Sequence, residues 1–385
     1  MNPLSLRHSL AGNPSGSPIF SSTIRGVDGP LSVVDPRATR AMVSLMDMNA
    51  VMGGAASHYG GPAAFAELMS ALHGYVFWEA NKNNKQWFDL FHLVNDAGHC
   101  ENGLYALKAN YNQADLTIES LKKFRSFGSP LTGHGEAHLF LQGVQISNGP
   151  LGSALPQAQG LAMAESLSKQ NRVTITSISD GACMEGEARE ALAAIPGLAK
   201  RQQMGPFVLV ISDNNTKLSG RIDKESFSMA PTFASLKDLG WKVLDLQDGH
   251  NLQACFDAFV AAISEVRQNP SQPIAIHART IKGIGTKKTA ESASGGHGFP
   301  LKSPTELPAF LTEIYDGSYP AEFQSWIDEM IAHEKTLNQK TSGEKIQTGV
   351  SKAMIKAFDQ GYPVVSITSD LPGSTGVAAF RKHVP

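Results

Sequence analysis

The feature that most restricts this chain is an alternation of pattern. Short runs rich in β-branched and apolar residues, Val173–Ser179, Phe207–Ser212, Ile274–Thr280 and Val364–Ser369, are separated by stretches whose apolar residues recur at helical spacing. The runs are continuously apolar, which predicts strands covered on both faces. Ala188, Leu192 and Ile195 share one helical face, as do Phe65, Leu68, Met69, Leu72 and Val76. Strands and helices in alternation predict an α/β fold, a parallel sheet with helices on both faces.

At roughly 100–200 residues per domain, 385 residues hold two or three domains. Residues 1–30 carry Pro3, Pro14, Pro18 and Pro30 among glycines and serines, without the apolar core of a signal peptide, and read as an extended N-terminal arm. The main α/β domain is expected over 31–330. Polar residues 331–345 form a linker, and 346–385 form one αβ unit that starts a second domain. About 40 residues bury too little surface to stand alone, so further chain or a partner is expected to complete it.

A formal net charge of -2 gives no basic excess for nucleic acid. No run approaches the ~20 apolar residues of a membrane span. Cys100, Cys183 and Cys255 form no CxxC pair, which argues against a disulfide framework or structural zinc and for a reducing, cytoplasmic compartment. The patterns GxxxxGK[ST], HExxH and GxSxG do not occur, and the GHG at 133–135 lacks dinucleotide-loop spacing. Small-molecule chemistry is the expectation that remains.

Strand Val173–Ser179 runs into Asp180-Gly181 and then Ala182-Cys183-Met184-Glu185-Gly186, and the next strand ends in Asp213-Asn214-Asn215. If the strands are parallel neighbours, Asp180 and Asn214 leave the carboxyl edge of the sheet, where ligands of open α/β folds bind. A carboxylate, an amide oxygen and a loop carbonyl form half the shell of an octahedral Mg2+, with room for diphosphate oxygens. Alone, each of these motifs is an ordinary turn; together with the intervening helix they point to a metal-anion site.

Of twelve histidines, His99, His134, His250 and His297 follow glycine, and His58 stands in Ala-Ser-His-Tyr-Gly-Gly-Pro before a helix. Glycine lets the backbone approach a ligand, and imidazoles donate to phosphate oxygens and move protons near neutral pH. His8, His73, His92, His138, His277, His333 and His383 read as turn or capping residues.

Asn148-Gly-Pro-Leu-Gly152, Asp180-Gly181 with Met184-Glu185-Gly186, Asp213-Asn214 and Gly296-His297-Gly298-Phe-Pro-Leu301 resemble the successive signatures of transketolases, which are thiamine-diphosphate enzymes. The likeness begins at His58, continues through Ala97-Gly-His99 and Gly133-His-Gly-Glu136, and reaches Ser369-Asp370-Leu-Pro-Gly-Ser374. It implies that 31–330 is a diphosphate-binding domain and 346–385 the start of a pyrimidine-binding domain. It implies Asp180, Asn214 and the carbonyl of Thr216 as ligands of Mg2+ or another divalent cation such as Ca2+. Gly181, His99 and His297 would contact the diphosphate, Gly149 and Leu151 the aminopyrimidine, and Asp370 the cofactor from the second domain. His58 and His134 match histidines that assist proton transfers on the substrate. Glu185 matches a carboxylate that lies at the subunit interface and supports a second glutamate, and so counts with both the catalytic and the cofactor-binding residues.

The reaction so implied is transfer of a two-carbon ketol unit from a ketose to an aldose, on sugar or sugar-phosphate substrates. The implied assembly is a homodimer, or a complex with a chain carrying the rest of the pyrimidine-binding and C-terminal domains. The family's Gly-Asp-Gly is Ser179-Asp180-Gly181 here, and Glu344 stands where an arginine for the sugar phosphate is expected, which disfavours phosphate. Two other readings stay open. One is a different thiamine-diphosphate enzyme, a deoxyketose-phosphate synthase or the first component of a 2-oxo acid dehydrogenase. The other is a non-catalytic cofactor-binding subunit.

Overall fold

Seven strands occur in the computed structural model, which describes residues 9–218, 220–337, 346–368, 372–373 and 375–384. Two of them, β1 (Ser21–Arg25) and β2 (Pro30–Val34), pair as an antiparallel hairpin. The others are β3 (Phe91–Asn95), β4 (Val173–Ser179), β5 (Phe207–Asp213), β6 (Lys242–Leu246) and β7 (Ile274–Arg279). They form one sheet in the order β3-β4-β5-β7-β6, with every neighbouring pair parallel.

Alternation along the strands sends residues to two apolar layers. Ile175, Val208, Val210, Ile274 and Ile276 pack on the face covered by the helices Gly60–Lys82 and Leu252–Gln268. Ile178, Leu209, Ile211 and Ala275 face the helices Ala154–Ser168 and Gly186–Lys200. Each fully buried isoleucine or leucine contributes about 1.5–3 kcal/mol, and a sheet dry on both sides explains the unbroken apolar runs. A third apolar cluster joins the helices Pro36–Met52, Glu101–Asn110, Leu307–Tyr315 and Ala321–Glu334. Between the first and third clusters, Arg40 and Glu67 form a buried ion pair at 2.6 Å, and His250 Nδ1 lies 3.1 Å from the same carboxylate.

The strand expected over Val364–Ser369 is a correction. Residues 362–368 make no ladder, and Val365 and Ile367 are 80% and 95% exposed. β-propensity needs a neighbouring strand to accept its hydrogen bonds, and none of the described residues provides one. Strands β3 and β6 carry a weaker sequence signal, because His92 and Asn95 interrupt one and Lys242 and Asp245 are exposed on the other. The N-terminal stretch is stitched down: Asn13 Nδ2 donates to Asn81 Oδ1 and the Lys85 carbonyl, and Trp87 Nε1 donates to the Ala11 carbonyl. The β1–β2 hairpin straddles residue 30. The helix Ala321–Glu334 runs into the expected linker, and the helix Ile346–Asp359 follows it. Glu344 and Asp370 lie outside the described residues.

Candidate active site

Parallel pairing of β4 and β5 sets Ser179 opposite Ser212, so Asp180 and Asn214 leave the sheet side by side. The Asp180 carboxylate organises the turn after β5. Its Oδ2 accepts from the backbone N–H of Asn214 at 2.9 Å and of Asn215 at 2.5 Å, and its Oδ1 accepts from Gly181 N–H at 2.8 Å. Oδ1, with a single donor, keeps a further lone-pair direction for a cation. Asn214 Oδ1 is buried with no hydrogen-bond partner. Thr216 turns back on the same loop, its Oγ1 donating to the Asn214 carbonyl at 3.0 Å. Ser179, where the resemblance expects glycine, accepts the Ala182 N–H on its Oγ at 3.2 Å and so caps the turn.

A hard divalent cation fits these donors. An orphaned buried amide oxygen costs free energy unless something electropositive meets it, and the neighbouring carboxylate supplies charge. Among the described residues no three histidine, cysteine or acidic side chains are grouped to hold a metal; the donors here are one carboxylate, one amide and carbonyl oxygen.

Four histidines converge at this edge. Loops 57–60 and 283–299 are tied by Gly60 N–H to the Gly296 carbonyl at 2.8 Å, Gly283 N–H to the Gly60 carbonyl at 3.0 Å and Phe299 N–H to the Ser57 carbonyl at 3.0 Å. His58 and His297 are thereby brought to 5.0 Å between ring centroids. His99 stacks on His297 at 5.3 Å and lies 5.6 Å from His58, and His134 lies 6.2 Å from His58. His134 is fixed by its neighbour: Gly135 N–H donates to Asn148 Oδ1 at 2.7 Å, and Asn148 Nδ2 donates to Glu101 Oε2 at 3.0 Å. His250 does not join the cluster. It is bonded to Glu67 and accepts the Ile281 N–H on Nε2.

Burial holds all four rings neutral. It pushes His58 down to about 4, helped by Arg125, His134 and Lys282. His99 and His297 lie below the ordinary imidazole range through burial and then Lys282, and His134 through burial and Arg125. Lys282 itself is buried, which lowers it to about 8 against the pull of Asp180. Its Nζ donates to His297 Nδ1 at 2.9 Å and lies 3.5 Å from the Thr216 carbonyl. An ammonium only donates, so the His297 proton sits on Nε2 and is free for an acceptor. Burial likewise raises Asp180 to about 6, opposed by its three backbone donors and Lys282.

The Asn148–Gly152 loop completes the edge. Gly149 has φ +139° and Gly152 φ +83°, conformations that favour glycine. A β-carbon on Gly98 would stand 2.7 Å from Gly149 N, which is how closely the loop lies on the His99 turn. Asp96 anchors the loop, its Oδ1 accepting from Gly152 N–H at 2.7 Å and its Oδ2 from Ala154 and Leu155 N–H at 2.9 and 3.1 Å. Leu151 is partly exposed, and Glu185 is exposed with its Cβ beside Gly152.

Residues 36–364 match the family model described as transketolase, thiamine diphosphate binding domain. The chain belongs to the transketolase family. It is 30% identical over 338 residues to a transketolase of Bacillus subtilis, covering 84% of this chain and 47% of that protein. A transketolase of Pichia stipitis solved with sedoheptulose 7-phosphate shares the fold at TM-score 0.59 and 24% identity, over 85% of this chain and 47% of that one. Another from Leishmania mexicana matches at TM-score 0.59 and 22% identity, over 86% and 52%. The chain spans about half the length of the curated relatives it matches. No described helix is long and apolar enough to cross a membrane.

Three residues of this transketolase-family site escape a motif reading. Lys282 sits in Ile-Lys-Gly just after β7, a cation at a strand's carboxyl end that the same edge argument could have flagged. Asp96 follows β3 as Asp180 follows β4. Arg125 carries no local signal and is recognisable only from its neighbours in space.

Proposed function

We propose that this chain binds thiamine diphosphate with Mg2+, or a substitute such as Ca2+, as the diphosphate-binding half of an enzyme that moves a two-carbon ketol unit from a ketose to an aldose. The observation that carries the reading is the orphaned Asn214 Oδ1 beside the Asp180 carboxylate, at one edge with four neutral imidazoles and a buried ammonium. Asp180, Asn214 Oδ1 and the Thr216 carbonyl hold the cation. Gly181, His99, His297 and Lys282 receive the diphosphate, the last by charge and His297 through Nε2–H. Gly149 and Leu151 form the floor for the aminopyrimidine, and Asp370 reaches the cofactor from the second domain.

When bound, thiamine diphosphate supplies the carbon nucleophile and electron sink that the reaction needs. The protein's share is placement and proton handling. His58 and His134, neutral and close together, take and return protons on substrate hydroxyls without first losing their own. Glu185, exposed at the start of the helix Gly186–Lys200, faces a partner subunit in a homodimer or in a complex with the remaining domains. Substrates are sugars or sugar phosphates, the class named for the Pichia enzyme's complex, and buried free thiols at Cys100, Cys183 and Cys255 suit a cytoplasmic setting.

Titration of the full chain with thiamine diphosphate, with and without Mg2+, tests this. Affinity should depend on the metal, and Asp180→Ala should weaken metal-dependent binding by at least about a hundredfold, the scale of losing a charged ligand. Unchanged affinity in that variant would refute the assignment.

A further inference from the structure

One glycine–histidine pair, Gly249-His250, takes no part in the cluster of four rings. The loop that carries it is pressed onto the end of β7. Gly249 N–H donates to the Arg279 carbonyl at 2.8 Å, and a β-carbon on Gly249 would lie 2.7 Å from that same oxygen. His250 N–H donates to Asp248 Oδ1 at 3.0 Å. The ring is thereby set between two partners. Nδ1 lies 3.1 Å from Glu67 Oε2, and Nε2 accepts the backbone N–H of Ile281 at 2.7 Å.

The first partner decides which ring nitrogen can serve the second. Burial by itself would raise the Glu67 carboxyl, but Arg40 and His250 outweigh it and hold the group below the usual carboxylate range. Arg40 Nη2 reaches both oxygens, at 2.7 and 2.6 Å, and also the Ala63 carbonyl at 3.1 Å. A carboxylate can only accept, so the imidazole proton sits on Nδ1 and Nε2 keeps its lone pair for Ile281. Lys282 then hangs between two ties. Ile281 before it is held by His250, and Gly283 after it donates to the Gly60 carbonyl at 3.0 Å. The segment has little stiffness of its own, since Gly283 and Gly285 have φ +74° and +111°. The reach of Lys282 Nζ to His297 Nδ1 and the Thr216 carbonyl therefore depends on those ties.

We infer that His250 is a positioning residue: fixed in one tautomer by the Arg40–Glu67 pair, its Nε2 holds the Ile281 amide and so sets where the Lys282 ammonium meets the diphosphate. The inference rests on the reading of this edge as a thiamine diphosphate site. It also assigns a use to an ion pair buried between two apolar clusters, where desolvating both charges is costly.

The test uses the full chain. His250→Leu should weaken thiamine diphosphate binding in the presence of Mg2+ at least about tenfold, the scale of one misplaced charge-assisted contact. His250→Gln should recover most of that loss, because its amide reaches the position of Nε2. His250→Asn, whose shorter amide reaches only that of Nδ1, should not. A general loosening of the packing would lower affinity whatever stands at 282, so the deciding measurement is a double-mutant cycle: in a Lys282→Gln background, His250→Leu should cost no further affinity. Without cofactor, the Ile281 amide should exchange its hydrogen at least about tenfold faster in His250→Leu than in His250→Gln, and the His297 ring signals should move in the first and not in the second. In the unsubstituted chain near neutral pH, nitrogen NMR should find His250 protonated on Nδ1 and bare on Nε2. Additive losses for His250→Leu and Lys282→Gln, no recovery with His250→Gln, or a proton on Nε2 would each overturn the inference. If the unsubstituted chain takes up no thiamine diphosphate, the proposed function fails separately, and the Ile281 exchange and His297 signals then decide whether His250 places Lys282.

Discussion

At Gly61 an added β-carbon would lie 2.5 Å from Cys100 Sγ and 2.9 Å from His99 Nε2. The glycine is there for proximity, since the first turn of the helix Gly60–Lys82 lies directly on the His99 ring. Gly61→Ala should turn that ring out of register with His297 and weaken thiamine diphosphate binding about tenfold. The overpacking itself should cost about 1–3 kcal/mol in urea unfolding. A variant that binds cofactor normally would show that His99 has no fixed place in the site. The motif Gly-Gly-Pro marks a tight approach in the sequence, but only the fold says that the neighbour is His99, thirty-eight positions on.

Among elements, the helix Ala154–Ser168 depends on a residue it does not contain. Its N-cap, Ser153, makes no side-chain cap, and Asp96 from the end of β3 accepts from the first turn in its place. The carboxyl is raised to about 6 by burial, with the three backbone donors opposing and Glu185 adding to the rise. Asp96→Ala would leave the N–H groups of Gly152, Ala154 and Leu155 buried without an acceptor. The expected loss is at least about 3 kcal/mol of stability, with Asp96→Asn milder because one oxygen remains. Equal stabilities for the two variants in denaturant unfolding would contradict this. The strand runs of β4, β5 and β7 were legible because they are apolar on both faces. Val364–Ser369 misled for a complementary reason: its composition is that of a strand, but no described strand lies beside it.

For the molecule as a whole, buried histidines set the response to acid. His73 lies in the helix Gly60–Lys82 with Nδ1 2.9 Å from the Met69 carbonyl, and burial, with Lys108 adding to it, lowers it to about 4. The unfolded chain protonates His73 near 6.5 and the folded chain only near 4, so stability falls as pH drops from about 6.5 to about 4. His58 acts in the same direction, whereas Asp96, raised to about 6, takes up its proton earlier in the folded state and opposes the loss. His73→Leu isolates one contribution. Relative to the unsubstituted chain it should gain about 2–3 kcal/mol on going from pH 7.5 to pH 4.5. A pH-independent difference between the two would show that His73 protonates alike in both states.

The sequence by itself determined the α/β class, the two covered faces of the sheet, and the strand-end positions of Asp180 and Asn214, because periodicity and turn chemistry are local properties of the chain. It also singled out His99, His134 and His297, with His250, by the glycine before each, and His58 by the Tyr-Gly-Gly-Pro that follows it, since such neighbours are visible without a fold. Only the tertiary structure decided that four of these meet and that His250 goes instead to the Arg40–Glu67 pair. It alone decided that Asp96 caps a helix nearly sixty positions away and that Lys282 and Arg125 bring positive charge to the histidines. Those choices depend on contacts between segments far apart in sequence and on how much water each group loses, and both follow from packing.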